Sequence, residues 1–370
     1  MNVAQVTQHY LPVVGGQEVY VDQLNRVFKE AGWNNMVYQP DTGIRRNDIT
    51  PVFRLRGVPR ILNGAEPYLF NFFLNHFYRA GLIKADIIIA HYAVHALPLI
   101  PFAQRVIVLS HGVEWAASGG TWDDRRRGFA AKACFNELPH VVNDTHYLRV
   151  NGMDIKAGTG YFTEVAPRKW FIPNCVDTNR FRKTAGLPEW RGRRILLVPR
   201  QVTQDRGIDL AIRSFALVHK NEPSLELVIL GKMWPGAYLE LCRKLVCDYG
   251  LKSHVVFKEH IGNNEMADYY SSAELTLIPT LRREGTSLSA IESMCCGTAT
   301  VSTNVCGLAD LPTVQSTPDE IDFARAIEDT LKNKVTIATQ QCEVARQLFR
   351  YENWAKTWLH VIKAVAGSQA

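Results

Sequence analysis

Two carboxylates, Glu284 and Glu292, bracket Gly285, Thr286, Ser287 and Leu288 in the stretch REGTSLSAIESMCCGTATVSTNVCG, residues 283–307. Thr286 and Ser287 are N-cap residue types, and Gly285 lets a ligand approach the backbone closely. They predict a helix over Ser287–Cys296, directly after a strand over Leu275–Pro279. The start of such a helix has N–H groups without intrahelical partners and the positive end of the helix dipole, which suit an anion. Eight helical residues would span roughly 12 Å at ~1.5 Å per residue. A nucleotide diphosphate sugar has a similar reach from sugar to ribose. One ionised carboxylate can accept hydrogen bonds from sugar hydroxyls and the other from ribose hydroxyls. On spacing alone, a helix cap with a surface glutamate at each end is an equal reading.

The elements that must position this segment alternate between β and α patterns. Asn2–Thr7, Met36–Gln39, Asp86–Ala90, Arg105–Leu109 and His140–Val142 read as one set of strands. Arg194–Val198, Leu225–Leu230, Val255–Phe257, Leu275–Ile278 and Ala299–Ser302 read as a second. Helical patterns lie between them, at Val19–Ala31, Asp209–His219 and Ala237–Tyr249. This spacing predicts an α/β protein with parallel sheets, built as two doubly wound Rossmann-like domains. The division expected is a domain over 1–172, a second over 173–350, and a C-terminal helix over 351–370. Trp354, Trp358 and Ile362 lie on one face of that helix. Gly15 and Gly16 fall between the first strand and the first helix, where a strand–Gly-Gly–helix turn offers amides to a phosphate or an acceptor.

The totals agree with a soluble enzyme of two domains. The chain has 370 residues, 46% of them hydrophobic and 21% charged. Its net charge of +6 is too small for a nucleic-acid footprint. None of the eight cysteines forms a C-x-x-C pair, which suits small buried thiols in a reducing compartment. The opening residues lack a secretory signal pattern, so a cytoplasmic location is expected. The chain contains no Asp-x-Asp motif, and no metal or other cofactor is expected.

EGTSLSAIESMCCGTATVSTNVCGLADL resembles the E-x7-E donor segment of retaining glycosyltransferases of family 4, which have the GT-B fold. That family reads Glu-Gly-x-x-Leu-x-x-x-Glu-x-Met-x-x-Gly here. The resemblance extends along the chain through YLPVVGGQEVYVDQLNRVFKEAGW, LSHGVE, IPNCVDTNRF and VPRQVTQDRGIDLAIRSF. It implies two domains facing a cleft, the first for the acceptor and the second for the donor, with the C-terminal helix crossing back to the first. It implies that Glu284 contacts the sugar and Glu292 the ribose, while Thr286, Ser287 and Leu288 form the amide-donating turn. It implies that Arg200 and Arg206 hold the diphosphate, although Gln201 competes with Arg200 and Arg206 stands where the family usually has lysine. It implies that His111 contacts the donor sugar near the reacting carbon. The activity implied is transfer from a UDP- or GDP-sugar to a glycan, a glycolipid or a small-molecule hydroxyl, by a retaining mechanism in which the leaving diphosphate helps to deprotonate the acceptor. A nucleotide-sugar binding protein without transfer activity and a nucleotide-sugar epimerase of similar shape are the alternative readings.

The segment Asn47–Leu82 stands apart. Arg54, Arg56 and Arg60 precede the aromatic run YLFNFFLNHFYRAGL, and Arg45 and Arg46 lie just before. A buried helix after a loop is one reading. A peripheral contact with lipid headgroups at the inner membrane face, or with a lipid-linked acceptor, is the other.

Overall fold

The computed structural model describes residues 1–13, 15–53, 66–111, 122–145, 162–259, 262, 264–282 and 284–367. It divides into one unit of Met1–Pro173 with the segment from Glu352 onward, and another of Asn174–Tyr351.

In the first unit the chain runs β1 (Asn2–Val6), α1 (Gly16–Glu30), β2 (Asn34–Pro40), β3 (Ile49–Val52), α2 (Glu66–Phe77), α3 (Arg79–Ile83), β4 (Ile87–His91), α4 (Ala93–Ala96), β5 (Val106–Ser110), α5 (Trp122–Glu137), β6 (His140–Asn143), β7 (Thr163–Ala166) and β8 (Lys169–Phe171). Among the described residues the sheet order is β3-β2-β1-β4-β5-β6-β8-β7. Its pairs are parallel except the β7–β8 hairpin at one edge. The apolar runs IIIAH and VIVLS are buried along their whole length. That pattern belongs to central parallel strands covered on both faces. Helix α1 buries Tyr20, Val21, Leu24, Val27 and Phe28 along one stripe.

In the second unit the order is β9 (Arg194–Val198), α6 (Ile208–Asn221), β10 (Leu225–Leu230), α7 (Ala237–Asp248), β11 (Val255–Lys258), α8 (Met266–Ser272), β12 (Leu275–Ile278), α9 (Leu288–Cys295), β13 (Ala299–Thr303), β14 (Val314–Ser316), α10 (Glu320–Lys332) and α11 (Lys334–Leu348). Its described strands form a parallel sheet in the order β11-β10-β9-β12-β13-β14. Helix α12 (Tyr351–Gly367) follows. From Glu352 it groups with the first unit, where Trp354, Trp358, Val361 and Ile362 are wholly buried.

Both sheets are doubly wound, as the alternating patterns predict. In each, the winding reverses next to the first strand, between β1 and β4 and between β9 and β12. Ligands of open α/β sheets bind beyond the carboxyl ends of the strands at such reversals.

The short strands β3, β7, β8 and β14 were not expected from the sequence. β3 carries Pro51, which edge strands tolerate because one side of the ladder needs no N–H. The eight cysteines are all free, and Cys247 is exposed rather than buried.

Candidate functional site

In the second unit, the turn after β9 and the turn after β12 meet at the winding reversal. Arg200 follows β9, and Arg206 closes a short 3-10 turn before α6. Glu284 follows β12. Both guanidinium groups donate to Glu284 Oε2. Thr280 completes the cluster, accepting from Arg200 Nη2 at 2.8 Å and donating to Glu284 Oε2 at 3.0 Å. Arg200 and Glu284 are both buried, while Arg206 stays partly exposed. Burial lowers the Arg200 pKa, with the charge of Arg206 adding to the effect and Glu284 opposing it. Two cations thus share one carboxylate oxygen.

Glycine makes this approach possible at two points. Gly207 has φ +65°, and a Cβ there would lie 1.9 Å from the Pro279 carbonyl oxygen. A Cβ on Gly231 would lie 2.2 Å from the Arg200 carbonyl oxygen. The two turns are thus locked together through backbone contact. The Gly307 amide donates to the Glu284 carbonyl at 3.1 Å and holds the segment from the far side.

Ser287 is the N-cap of α9, yet its buried Oγ makes no hydrogen bond. Arg200 Nε is likewise buried without a partner. Thr286 is buried, and its carbonyl accepts from Asn174 Nδ2 at 2.6 Å. Leu288 begins the helix, and Gly285 lies in the bend before it. Glu292 lies within α9 and accepts from the Tyr270 hydroxyl at 3.0 Å. Burial pushes its carboxyl up to about 7, against the opposing effects of Tyr270 and Arg180.

The residue types at 284–292 were legible in the sequence. Thr280 and Tyr270 were not, since neither falls in a spaced motif. The structure also separates Arg200 from Gln201. The Arg200 side chain is buried in the cluster and Gln201 is exposed.

In the first unit, His111 follows β5 and is buried. Its Nε2 lies 3.3 Å from Nδ1 of His91, at the end of β4, and the rings are stacked. Its Nδ1 is 3.8 Å from Asp144 Oδ2, too far for a hydrogen bond. Burial lowers His111 to about 3 and His91 well below the ordinary value, so both rings are neutral. Tyr20 meets the His111 ring edge-on at 5.1 Å. Gly15 is the N-cap of α1 and Gly16 its first residue. The Gly15 amide, expected to face a ligand, donates to Glu18 Oε2 at 3.0 Å in one half of a capping box.

Of the basic cluster before the aromatic run, Arg45 pairs with Asp41 and Arg46 with Asp48. Arg54, Arg56 and Arg60 lie outside the described residues. In α2, Phe70 and Leu74 are buried while Phe72 and Phe77 are exposed. Among the described residues no helix is long and apolar enough to cross a membrane, and no group of three His, Cys, Asp or Glu is placed to hold a metal ion.

Residues 180–347 match the family model of glycosyl transferases group 1. Sucrose-phosphate synthase from Thermosynechococcus elongatus superposes with a TM-score of 0.82 at 20% identity, covering 99% of each chain. HepE from Anabaena, in complex with UDP and glucose, superposes with a TM-score of 0.77 at 13% identity, covering 98% of this chain and all of that one (100%). A GDP-mannose-dependent alpha-(1-6)-phosphatidylinositol monomannoside mannosyltransferase from Mycolicibacterium smegmatis is 26% identical over 147 residues, 35% of this chain and 37% of that relative. The match spans about a third of the length of such curated relatives. The fold is therefore of GT-B type, and residues 180–347 of its second unit are similar to group 1 glycosyl transferases.

Proposed function

We propose that this protein transfers a sugar from a nucleotide diphosphate sugar to an acceptor hydroxyl, with retention at the anomeric carbon. The observation that carries this reading is the Arg200–Glu284–Arg206 cluster at the winding reversal of the second unit. A diphosphate needs fixed positive charge and hydrogen-bond donors. Arg200 Nε and Ser287 Oγ are buried donors with open capacity, and the amides that start α9 add the dipole. The two arginines take the role that a divalent cation has in other sugar transfers, so the reading needs no metal.

In the reaction, the bond from the anomeric carbon to the diphosphate oxygen breaks, and a bond to the acceptor oxygen forms on the same face. The acceptor's proton passes to the departing diphosphate oxygen. Arg200 and Arg206 stabilise the charge that builds on that oxygen. Glu284, held in place by both guanidinium groups, accepts hydroxyls of the sugar. Glu292 accepts hydroxyls of the ribose, and Tyr270 holds its carboxyl in place.

The mannosyltransferase relative uses GDP-mannose, and the HepE structure holds UDP and glucose. Both UDP- and GDP-sugars are therefore within range. A glycan, a glycolipid or a small molecule is the acceptor, and the protein works in the cytoplasm. Exposed Phe72 and Phe77 on α2, followed by Arg79, support peripheral contact with a lipid surface. Sedimentation with anionic vesicles tests this, and a loss of binding in Phe72→Ser/Phe77→Ser is expected.

The main experiment measures thermal stability with UDP, GDP, ADP and their sugar conjugates, followed by transfer assays with the ligand that binds. A ligand that binds only the folded state raises stability as RT ln(1 + [L]/Kd). A selective shift lost in Glu292→Ala, with transfer lost in Arg206→Ala, is expected. Binding without transfer across a broad acceptor panel points to the binding protein, and donor conversion without acceptor points to the epimerase. Either result overturns the proposal.

A further inference from the structure

His111 is the end of a hydrogen-bonded chain inside the first unit, and the chain has a direction. Asp22 lies at the far end. Its carboxylate only accepts, so the Tyr10 hydroxyl donates to Asp22 Oδ1 at 2.8 Å. The Tyr10 oxygen then accepts from Asn25 Nδ2 at 2.7 Å and from Arg46 Nη2 at 2.7 Å. Arg46 has no acceptor atom and cannot reverse this step. With its amide committed to Tyr10, Asn25 turns Oδ1 toward Gln5 and accepts from Gln5 Nε2 at 2.7 Å. The same Gln5 nitrogen donates to Asn35 Oδ1 at 3.1 Å. Both of its hydrogens are used, so the Gln5 carbonyl oxygen must face His91.

That oxygen lies 3.0 Å from His91 Nε2, which must therefore carry the proton. His91 Nδ1 is then the acceptor, and its neighbour His111 Nε2, at 3.3 Å, must be the donor. We infer that Gln5 and His91 are positioning residues that lock His111 as its Nε2–H tautomer and leave Nδ1 as a bare acceptor for a ligand hydroxyl. The opposite tautomer requires the Gln5 amide to turn over. Its carbonyl oxygen would then face the carbonyl oxygens of Asn25 and Asn35, and two buried hydrogen bonds would be lost. Burial of the histidine pair keeps both rings neutral, which a single-tautomer chain needs. The strand register makes the arrangement possible: Gln5 pairs with Ile89 in β1–β4, two residues before His91.

The inference rests on the glycosyltransferase reading only for the identity of the hydroxyl, which would belong to a sugar. The tautomer itself is tested without any substrate. The full-length protein is labelled with ¹⁵N-histidine, and long-range ¹H–¹⁵N correlation at pH 7.5 reads the protonation of each ring nitrogen. The His91 and His111 signals are assigned with His91→Gln and His111→Asn. Bare Nδ1 on both rings is expected, and Nδ1–H on His111 in the wild type overturns the inference. Gln5→Met removes the acceptor for His91 and should turn His111 into a mixture of tautomers. His91→Gln, whose amide can still accept from His111 and donate to Gln5, should keep His111 as Nε2–H. In transfer assays kcat/KM should fall about tenfold in Gln5→Met, a factor expected for one misdirected neutral hydrogen bond, and stay close to the wild-type value in His91→Gln. A His111 signal unchanged in Gln5→Met also overturns the inference. The expected tautomers without transfer activity would leave this inference standing and sink the proposed function. Transfer activity with the opposite tautomer would do the reverse.

Discussion

Arg200 and Glu284 are separated by three strand–helix–strand crossovers of the second unit, yet their charged groups meet in a buried hydrogen bond. Arg206 donates to the same carboxylate oxygen. In this arrangement Glu284 occupies the cations that a diphosphate would need. Glu284→Gln removes the competing charge while keeping the shape. We expect it to destabilise the protein by about 3 kcal/mol, because a buried cation loses its partner. We also expect a larger thermal shift with free UDP or GDP than in wild type, while sugar transfer falls. Urea midpoints and thermal shifts on the same preparations check both. A smaller shift in Glu284→Gln would mean that the carboxylate does not compete for the diphosphate.

The raised pKa of Glu292 has a direction that denaturation can test. Its folded pKa of about 7 lies above the ordinary value of 4.5. Between these values the folded state binds more protons than the unfolded chain. Stability contributed by this group is therefore complete below about 4.5 and is lost as pH rises through about 7. Urea unfolding at pH 5, 6, 7 and 8 should show this fall, and Glu292→Gln should flatten it. Nucleotide hydroxyls favour the ionised carboxylate, so binding near pH 6.5 should release protons. Calorimetry in two buffers of different ionisation enthalpy measures that release. Equal apparent enthalpies in the two buffers would exclude the link.

These two sites differ in how far the sequence discloses them. Glu284, Glu292 and the small residues between them are local in the chain, and their types announce a helix start beside two acceptors. The strands β9, β10 and β12 run from end to end as expected because they are short apolar runs bounded by polar residues. Thr280 is invisible as a site residue because a threonine after a strand is ordinary until Arg200 is folded onto it. Gln5 is more opaque still. A polar residue inside a buried strand reads as an interruption, and its partners at 25, 35 and 91 come from three other elements. Gly15 shows the opposite failure: the turn is where the sequence puts it, but Glu18 already holds the amide. Glu18 was visible in the sequence, but no capping-box signal marked it, because Gly15 has no side chain to form the reciprocal half.

Glycine at 207 is required by the contact it permits. Its φ of +65° suits glycine, and a Cβ would meet the Pro279 carbonyl oxygen at 1.9 Å. Gly43 also has a positive φ, +84°, with nothing within 4 Å of a Cβ. Gly43→Ala therefore isolates the backbone cost, about 1 kcal/mol. Gly207→Ala adds the clash, and a loss of more than 3 kcal/mol is expected because backbone must move. Chemical denaturation of the two variants compares them directly. Similar losses would mean that the β9–α6 turn shifts freely, and the arginine cluster would not be rigidly held.

Trp358 joins the C-terminal helix to the histidine pair. Its Nε1 donates to the Tyr20 hydroxyl at 2.9 Å, and both side chains are buried. Tyr20 in turn meets the rings of His91 and His111 edge-on. Trp358→Ala empties a large buried volume and should cost 3–5 kcal/mol, the ordinary range for deleting a core aromatic. Trp358→Phe keeps much of the apolar volume but removes the donor, and about 1–2 kcal/mol is expected. The two can be separated by a second reading. If Trp358 orients Tyr20, the imidazole resonances of His111 should move in Trp358→Phe even where stability changes little, because a ring 5.1 Å away shifts its neighbours when it turns. Unmoved His111 resonances in Trp358→Phe would limit the tryptophan to filling the core, and the C-terminal helix would then have no part in positioning the histidine.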